Sequence, residues 1–455
     1  MTSIPRIAFQ LRRLFGEEAI RLAKEAGLRQ RHWNGASLLR LLVFGWWAHP
    51  TAGVSQLVSV ANSMGKQTSK QVLDDHFTQR TATFLLSVLQ EAVRLLVCGQ
   101  QVSIPLLERF RGVFLEDGSV VSLPAALAPI WKGNGGNPAG KQGSQYQGTP
   151  KQRQEPKTEA GIKLTVRWDL LRGCLHGPHL QAARNHELSS VLRTTQMPKG
   201  SLWIGDLGYF VLVWLRDLNE RGVFFLLRYK AGTILWHNGS RIEDIQDLLP
   251  QDEQATVDVP VICGANKLVP ARLLAQRVPE KVAEQRRAKV KEAARKRQTT
   301  VSARSLALCG WTMVITNVPV ELLCVREAFA LLRARWQIEL LFKLWKESGL
   351  IDEWSSRKPW QVLCEFYAKL IAMVVQHWLM LVGCWDDPFH SLRHATEVAR
   401  QRSAVILAAL GGQGSLRQAV QETIEGIRAA CPLSSGSRRP RTADFLLGEP
   451  FWGLT

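Results

Sequence analysis

Closely spaced cysteine pairs are missing from this sequence. Its eight cysteines, Cys98, Cys174, Cys263, Cys309, Cys324, Cys364, Cys384 and Cys431, are scattered singly with no C-x-x-C among them. That spacing argues against a zinc ribbon and against a disulfide framework, and it fits a reducing cytoplasm. A secretion signal is not supported either, since residues 1–10 carry Arg6 but no continuous apolar stretch. The most apolar run, 370–382, follows Lys369 and contains Gln376 and His377. It is too short and too polar to cross a bilayer and is expected as a buried helix. No internal repeat is visible. Acidic residues are also in short supply, with 39 Asp plus Glu against 58 Lys plus Arg, a formal net charge of +19. A surface that positive repels itself unless a polyanion shares the load. Nucleic acid is therefore the leading partner class, and a metabolic enzyme acting on a small neutral substrate is disfavoured.

What is present is an ordinary globular composition, 46% apolar, over 455 residues, enough for two or three domains with real cores. Residues 1–108 read as nearly all helix. Phe84, Leu85, Val88, Leu89 and Ala92 recur at three- and four-residue spacing, an amphipathic helix facing a core. Its basic residues, among them Arg12, Arg13, Arg29, Arg31, Lys66 and Lys70, fit either a solvated face or a DNA-binding module. At Gly112 the pattern turns to strands. Val113-Phe114-Leu115 and Val120-Val121 flank a turn expected at Glu116-Asp117-Gly118. A Gly-rich segment with Lys and Arg, 132–156, is expected to be mobile without a ligand. Further strands are expected at 162–170, 174–180, 201–204 and 223–228, with helices near 188–192 and at 211–219.

A helix should then cover the sheet, but about 90 residues intervene. They hold strand-like runs, the turn signal His237-Asn238-Gly239, and a stretch from 276 to 304 with ten Lys or Arg against Glu280, Glu284 and Glu292, a net +7. That stretch reads as a solvated helix with a DNA-facing side. The strand 311–316 closes the interruption, and the awaited helix spans 325–347. The fold class is thus mixed α and β: an all-α segment 1–108, a sheet-and-helix core in two parts, 109–230 and 321–400, a β-rich insertion 231–320, and a helical tail 401–455.

Three carboxylates stand out by position. Asp117 follows the first strand signal, Asp206 the buried strand 201–204, and Glu339 lies in the helix after the insertion. If the two strands are neighbours, both Asp side chains emerge at one sheet edge, where a packed helix can add Glu339. Like charges that close repel by about 4 kcal/mol at 4 Å and an effective dielectric of 20, so the cluster needs cations. Hard divalent ions with oxygen ligands suit it, Mg²⁺ (or Mn²⁺) above all, and two of them can serve an in-line phosphoryl displacement. Arg335, four residues before Glu339, and Lys346, seven after, project from the same helical face and suit phosphates. Glu116 should point to the opposite side of its strand from Asp117. His176, His179 and His186 have H-x2-H spacing but no nearby Cys or ordered carboxylate, and are expected as ordinary surface or turn histidines.

The segment Arg333-Ala-Arg335-Trp336-Gln-Ile-Glu339-Leu-Leu-Phe342-Lys-Leu-Trp345-Lys346 resembles the Y-x2-R-x3-E-x6-K signature of DDE transposases in insertion-sequence family four. Asp117-Gly118-Ser119 and Asp206-Leu207-Gly208-Tyr209-Phe210 resemble that family's two Asp motifs, and Trp311-Thr312 with Thr316-Asn317-Val318-Pro319 the close of its β-rich insertion. The likeness runs from about residue 70 to about 385. One position departs: the family's Tyr falls at Leu332, which cannot donate to a phosphate. The resemblance implies a ribonuclease H-like core with a mixed five-stranded sheet, in which Asp117, Asp206 and Glu339 are catalytic and bind two Mg²⁺. It implies water attack at each transposon end to free a 3′-OH, a hairpin intermediate, and transfer into target DNA. Arg335 and Lys346 would hold phosphates and Trp311 would receive a flipped base, with Trp336 and Tyr209 as further DNA contacts. Taken alone, both Trp side chains would be core residues, Trp336 more so than Trp311. The partners implied are double-stranded DNA, as terminal inverted repeats and target, and a second copy of the chain, with the C-terminal helices as the expected contact. The place is the bacterial cytoplasm and, when DNA-bound, the nucleoid. The competing reading is a DNA-binding protein of the same fold that is inactive or acts only as a nuclease.

Overall fold

The computed structural model describes residues 3–135, 159–186, 189–250, 252, 255–432 and 440–448. Most of the Gly-rich segment, from 136 onward, lies outside the described residues, as do Leu188 and residues 433–439.

One ten-stranded sheet organises the chain. Its strands are β1 (Val113–Leu123), β2 (Ala160–Asp169), β3 (Leu175–Ala182), β4 (Leu202–Gly205), β5 (Phe224–Arg228), β6 (Leu235–His237), β7 (Ser240–Arg241), β8 (Thr256–Cys263), β9 (Val269–Arg277) and β10 (Trp311–Thr316). They lie in the order β3-β2-β1-β4-β5-β10-β9-β8-β6-β7. The first three form an antiparallel meander, while β4 runs parallel to β1 and β5 parallel to β4. The insertion does not make a sheet of its own: β10 pairs antiparallel with β5 and joins β9, β8, β6 and β7 to the same sheet. The expected His237-Asn238-Gly239 turn is there, with Asn238 and Gly239 both at positive φ, 48° and 83°, as a two-residue hairpin requires.

β1 differs from its expectation. No turn interrupts it; it runs unbroken for 11 residues through Glu116-Asp117-Gly118, pairing with β2 from Phe114 to Leu123. The polar residues there are held by partners on either side of the sheet rather than released to a loop. Leu115, Ile204, Leu226 and Val314 enter one core, and Phe114, Trp203, Phe225 and Leu227 the other. Strands buried on both faces read as apolar runs for this reason.

The first core is shared with the helices. Helix Pro359–Gly383 is long and apolar enough to cross a membrane, yet it is sheathed by protein, as expected for 370–382. Helices Gly35–Ala48 and Gln79–Arg94, capped by Asn34 and Thr78, pack on it from the N-terminal side, and Leu416–Ala430 from the C-terminal side. Trp47 Nε1 donates to Gln376 Oε1 at 3.1 Å across that junction. The apolar faces of the C-terminal helices Leu392–Gln401, Ser403–Leu410 and Leu416–Ala430 are thus used within one protomer. A single disulfide, Cys98–Cys174, ties the segment after helix Gln79–Arg94 to the β2–β3 turn. This corrects the cysteine reading: a bond between residues 76 apart leaves no local spacing motif. The other six cysteines are free.

Candidate active site

The register of β1 and β4 brings the two aspartates together. Glu116 pairs with Gly205, so Asp117, still within β1, lies beside Asp206, the first residue past the end of β4. Asp117 shares its strand face with Leu115, on the side where helices Val325–Ala334 and Trp336–Glu347 pack. The two helices meet at Arg335, and the four-residue step to Glu339 sets both side chains on one face. The result is a convergence on one guanidinium. Arg335 Nη1 stands 3.6 Å from Asp117 Oδ2, its Nε stands 4.0 Å from Asp206 Oδ1, and its Nη2 donates to Glu339 Oε1. Lys346 reaches the same strand further along, where Nζ donates to Val120 O at 3.3 Å.

Burial pushes the Asp117 carboxyl up to about 6, and the charges of Asp206 and Glu339 push the same way. The Gly118 N–H, 2.8 Å from Asp117 Oδ1, and the Arg335 charge oppose the rise without cancelling it. As placed, the carboxylates gather round Arg335, and among the described residues no three His, Cys, Asp or Glu side chains are arranged to hold a metal ion. The donor set is nonetheless all hard oxygen, and a cation already sits among its three members. Both features fit a divalent ion in chemical type.

The aromatic candidates part ways. Trp311 opens β10, three residues beyond the Val314–Arg228 pair, at the sheet end where β4 delivers Asp206. Two strand spacings, about 10 Å, separate β10 from β4. The ring is half-buried against Leu249, Val257 and Ala275, and its carbonyl accepts from Arg286 Nη1 at 3.0 Å. Trp336, a core residue when taken alone and a DNA contact by the resemblance, is 53% exposed, which departs from the first reading and leaves room for the second. Leu340, one turn on, is exposed as well. Tyr209 is the reverse. Expected at the DNA, it is buried edge-on against Trp203, since the 3₁₀ turn Leu207–Tyr209 folds it inward. Leu332 is packed in the larger core.

His176 and His179 lie half-buried on β3, not at the surface, and burial lowers both, His176 to about 4. Among the described residues neither joins a metal group.

Sequence reasoning missed the residues that hold the site's frame. Glu116 does point away from Asp117, as expected, but into a fully buried ion pair: Arg167 Nε donates to its Oε2 at 2.8 Å and Trp203 Nε1 at 3.2 Å. Arg167 also donates to Leu192 O and Thr195 O, fixing the segment that enters β4. Its signal was a lone Arg in the apolar strand Leu164-Thr165-Val166-Arg167-Trp168. A second buried pair, Glu365 with Lys369 at 2.8 Å, ties down residues 350–355 after the Glu339 helix through Leu350 O, Glu353 O and Ser355 N.

Residues 109–375 match the family model described as the transposase DDE domain. The chain belongs to the DDE transposase family. It is 25% identical over 370 residues to the transposase for insertion sequence element IS231F of Bacillus thuringiensis subsp. israelensis, covering 76% of this chain and 73% of the relative. It is 26% identical to the IS231C transposase of B. thuringiensis subsp. berliner, over 80% and 78% of the two chains. It is 23% identical to the IS1151 transposase of Clostridium perfringens, over 71% and 69%. The family implies dependence on a divalent metal.

Proposed function

We propose that this DDE transposase cuts DNA at the terminal inverted repeats of an insertion sequence and joins it to target DNA, using Asp117, Asp206 and Glu339 as its catalytic carboxylates. The observation that carries this reading is the convergence of those three side chains, from three separate elements, on one cation. The strand order β3-β2-β1-β4-β5, antiparallel then parallel, supports a ribonuclease H-like core over 109–230 and 321–400, with 231–320 as its insertion. Residues 1–108 and 401–455 would be the helical segments around it.

Two Mg²⁺ or Mn²⁺ held by the three carboxylates would, when bound, activate the attacking oxygen and stabilise the leaving one. The chain's own groups do the rest. Arg335 and Lys346 flank the acids and hold the phosphates on either side of the scissile bond. Water is the first nucleophile; the 3′-OH it frees then attacks the opposite strand to give a hairpin, and later the target. Hairpin formation requires an extruded nucleotide. Trp311 at the sheet end and Trp336 beside Arg335 offer aromatic faces for it, and the exposure of Trp336 supports its share. Leu332 leaves one phosphate contact of the signature unmade. Concerted cutting of two ends calls for two protomers on the DNA, in the bacterial cytoplasm.

The test is Mg²⁺-dependent cleavage of a terminal-repeat duplex by wild type and by Asp117→Asn. Cutting by the wild type alone supports the assignment; equal cutting by both sinks it.

A further inference from the structure

Arg335 differs from the other arginines held by carboxylates in the core. Arg167, which pairs with Glu116, is 1% exposed, and its Nε, Nη1 and Nη2 all donate to fixed acceptors. Arg335 is only partly buried, hydrogen-bonds through its side chain to Glu339 alone among the described residues, and sits at 3.6 and 4.0 Å from Asp117 and Asp206. Those two approaches are electrostatic without being directional. Its backbone is at the junction of two helices, where Arg335 N donates to Leu332 O and Ile338 N to Arg335 O, both three-residue steps.

We infer that Arg335 is a removable counter-ion: in the metal-free protein it neutralises the carboxylate cluster, and on DNA it transfers to a phosphate, opening the cluster to metal. Three points carry this. Without Arg335 three like charges drawn to one place would repel one another with nothing to offset them. A guanidinium and a divalent cation cannot share the position, because they repel each other and compete for the same oxygens. A phosphate offers the displaced guanidinium a bidentate partner of matching geometry. Lys346 lies further along β1, where Nζ donates to Val120 O, and among the described residues it pairs with none of the three carboxylates. The consequence is a linkage. DNA raises metal affinity by taking Arg335 away, and metal raises DNA affinity by the same factor.

The inference rests on the assignment of Asp117, Asp206 and Glu339 as the metal site, and its test separates the two. Mn²⁺ binding to the full chain is measured by electron paramagnetic resonance, with and without a terminal-repeat duplex. The duplex ends in a 3′-dideoxy nucleotide, so it can be neither cut again nor transferred. For wild type, DNA should tighten Mn²⁺ binding by about tenfold. Arg335→Gln should bind Mn²⁺ about tenfold tighter than wild type without DNA and gain little from DNA. Simple loss of a positive charge would instead give an advantage that persists on DNA, and that result overturns the inference. Equal gains from DNA in both proteins overturn it too, leaving the metal site intact. Absence of Mn²⁺ binding by the wild type even with the duplex present, and by Arg335→Gln, overturns the metal site and the inference together. Should Arg335→Gln fail to fold, Arg335→Lys keeps the charge without the planar fork and should show a coupling between the two.

Discussion

Glu116 and Asp117 are consecutive residues on one strand, each a carboxylate facing an arginine, and they have opposite fates. Glu116 is sealed with Arg167 beneath the sheet, every charge satisfied at hydrogen-bond distance. Asp117 shares Arg335 with two other acids, keeps a raised affinity for its proton, and lies at the mouth of the sheet. The alternation of a β-strand makes this possible, because a one-residue step crosses from a closed core to an open edge. The lesson is that a structural ion pair is one in which the acceptors outnumber what the cation lacks. A functional one leaves acid in excess.

The sharpest way to break the comparison is to neutralise each carboxylate in turn. Asp117→Asn should abolish cleavage, a fall of at least about 10³-fold, while the thermal midpoint of the metal-free protein stays level or rises because a repelling charge is gone. A cleavage assay beside a melting curve checks both halves. Glu116→Gln should do the reverse and act on stability first. It strands Arg167 in the core and should cost about 3–5 kcal/mol by denaturant titration, whereas Glu116→Gln with Arg167→Met should recover much of that loss. If Glu116→Gln melts like wild type, the closed pair is not what holds β1 and β4 in register.

The open site was largely legible in the sequence and the closed one was not. Asp206 and Glu339 could be found because a strand end, a four-residue helical step and an interrupted sheet each leave a local pattern, whereas Asp117 was expected after a strand and lies within β1. Arg167 pairs with a residue 51 positions away, and a single charge in an apolar strand does not name its partner. The unbroken course of β1 was hidden because Glu116-Asp117-Gly118 has turn chemistry, and only the flanking strands and the buried arginine keep it extended. The reading of Trp336 by itself as a core residue failed for a related reason. Its helix is apolar on more than one side, so hydrophobicity alone could not show which residues face the sheet. The disulfide is likewise a product of tertiary packing.

The same contrast recurs in the insertion. Helix Glu280–Lys296 buries only Ala283, and Arg286 is spent on Trp311 O and Thr312 Oγ1, holding the sheet end. Lys281, Lys289, Lys291 and Arg295 lie on its exposed side. Replacing those four by Gln should leave the melting temperature within about 1–2 °C, since surface changes of this kind cost little. DNA affinity should fall about equally for terminal-repeat and unrelated duplexes, and the salt slope should flatten by about 0.9 for each phosphate no longer neutralised. Arg286→Ala should lower stability before it touches the slope. An unchanged slope in the fourfold variant would make the outer face a solvated surface and nothing more.

The smallest effect separates the two carboxylates by pH. Asp117 titrates near 6 in the folded, metal-free protein, above the ordinary carboxylate range that the unfolded chain retains. Between that range and about 6 the folded form therefore holds a proton that the unfolded form has already lost. Stability through this group must then fall as pH rises across the window, and level off above it where both forms are ionised. Asp117→Asn removes the slope, and so does saturating Mn²⁺, which needs the ionised carboxylate and releases its proton on binding. Metal affinity of the wild type should accordingly weaken as pH drops below about 6. Melting curves from about pH 4.5 to about 7.5, covering the upper part of the window and the plateau above it, read the effect directly. A slope that survives in Asp117→Asn would assign it to some other group and leave the open carboxylate no different, in its proton affinity, from an ordinary one.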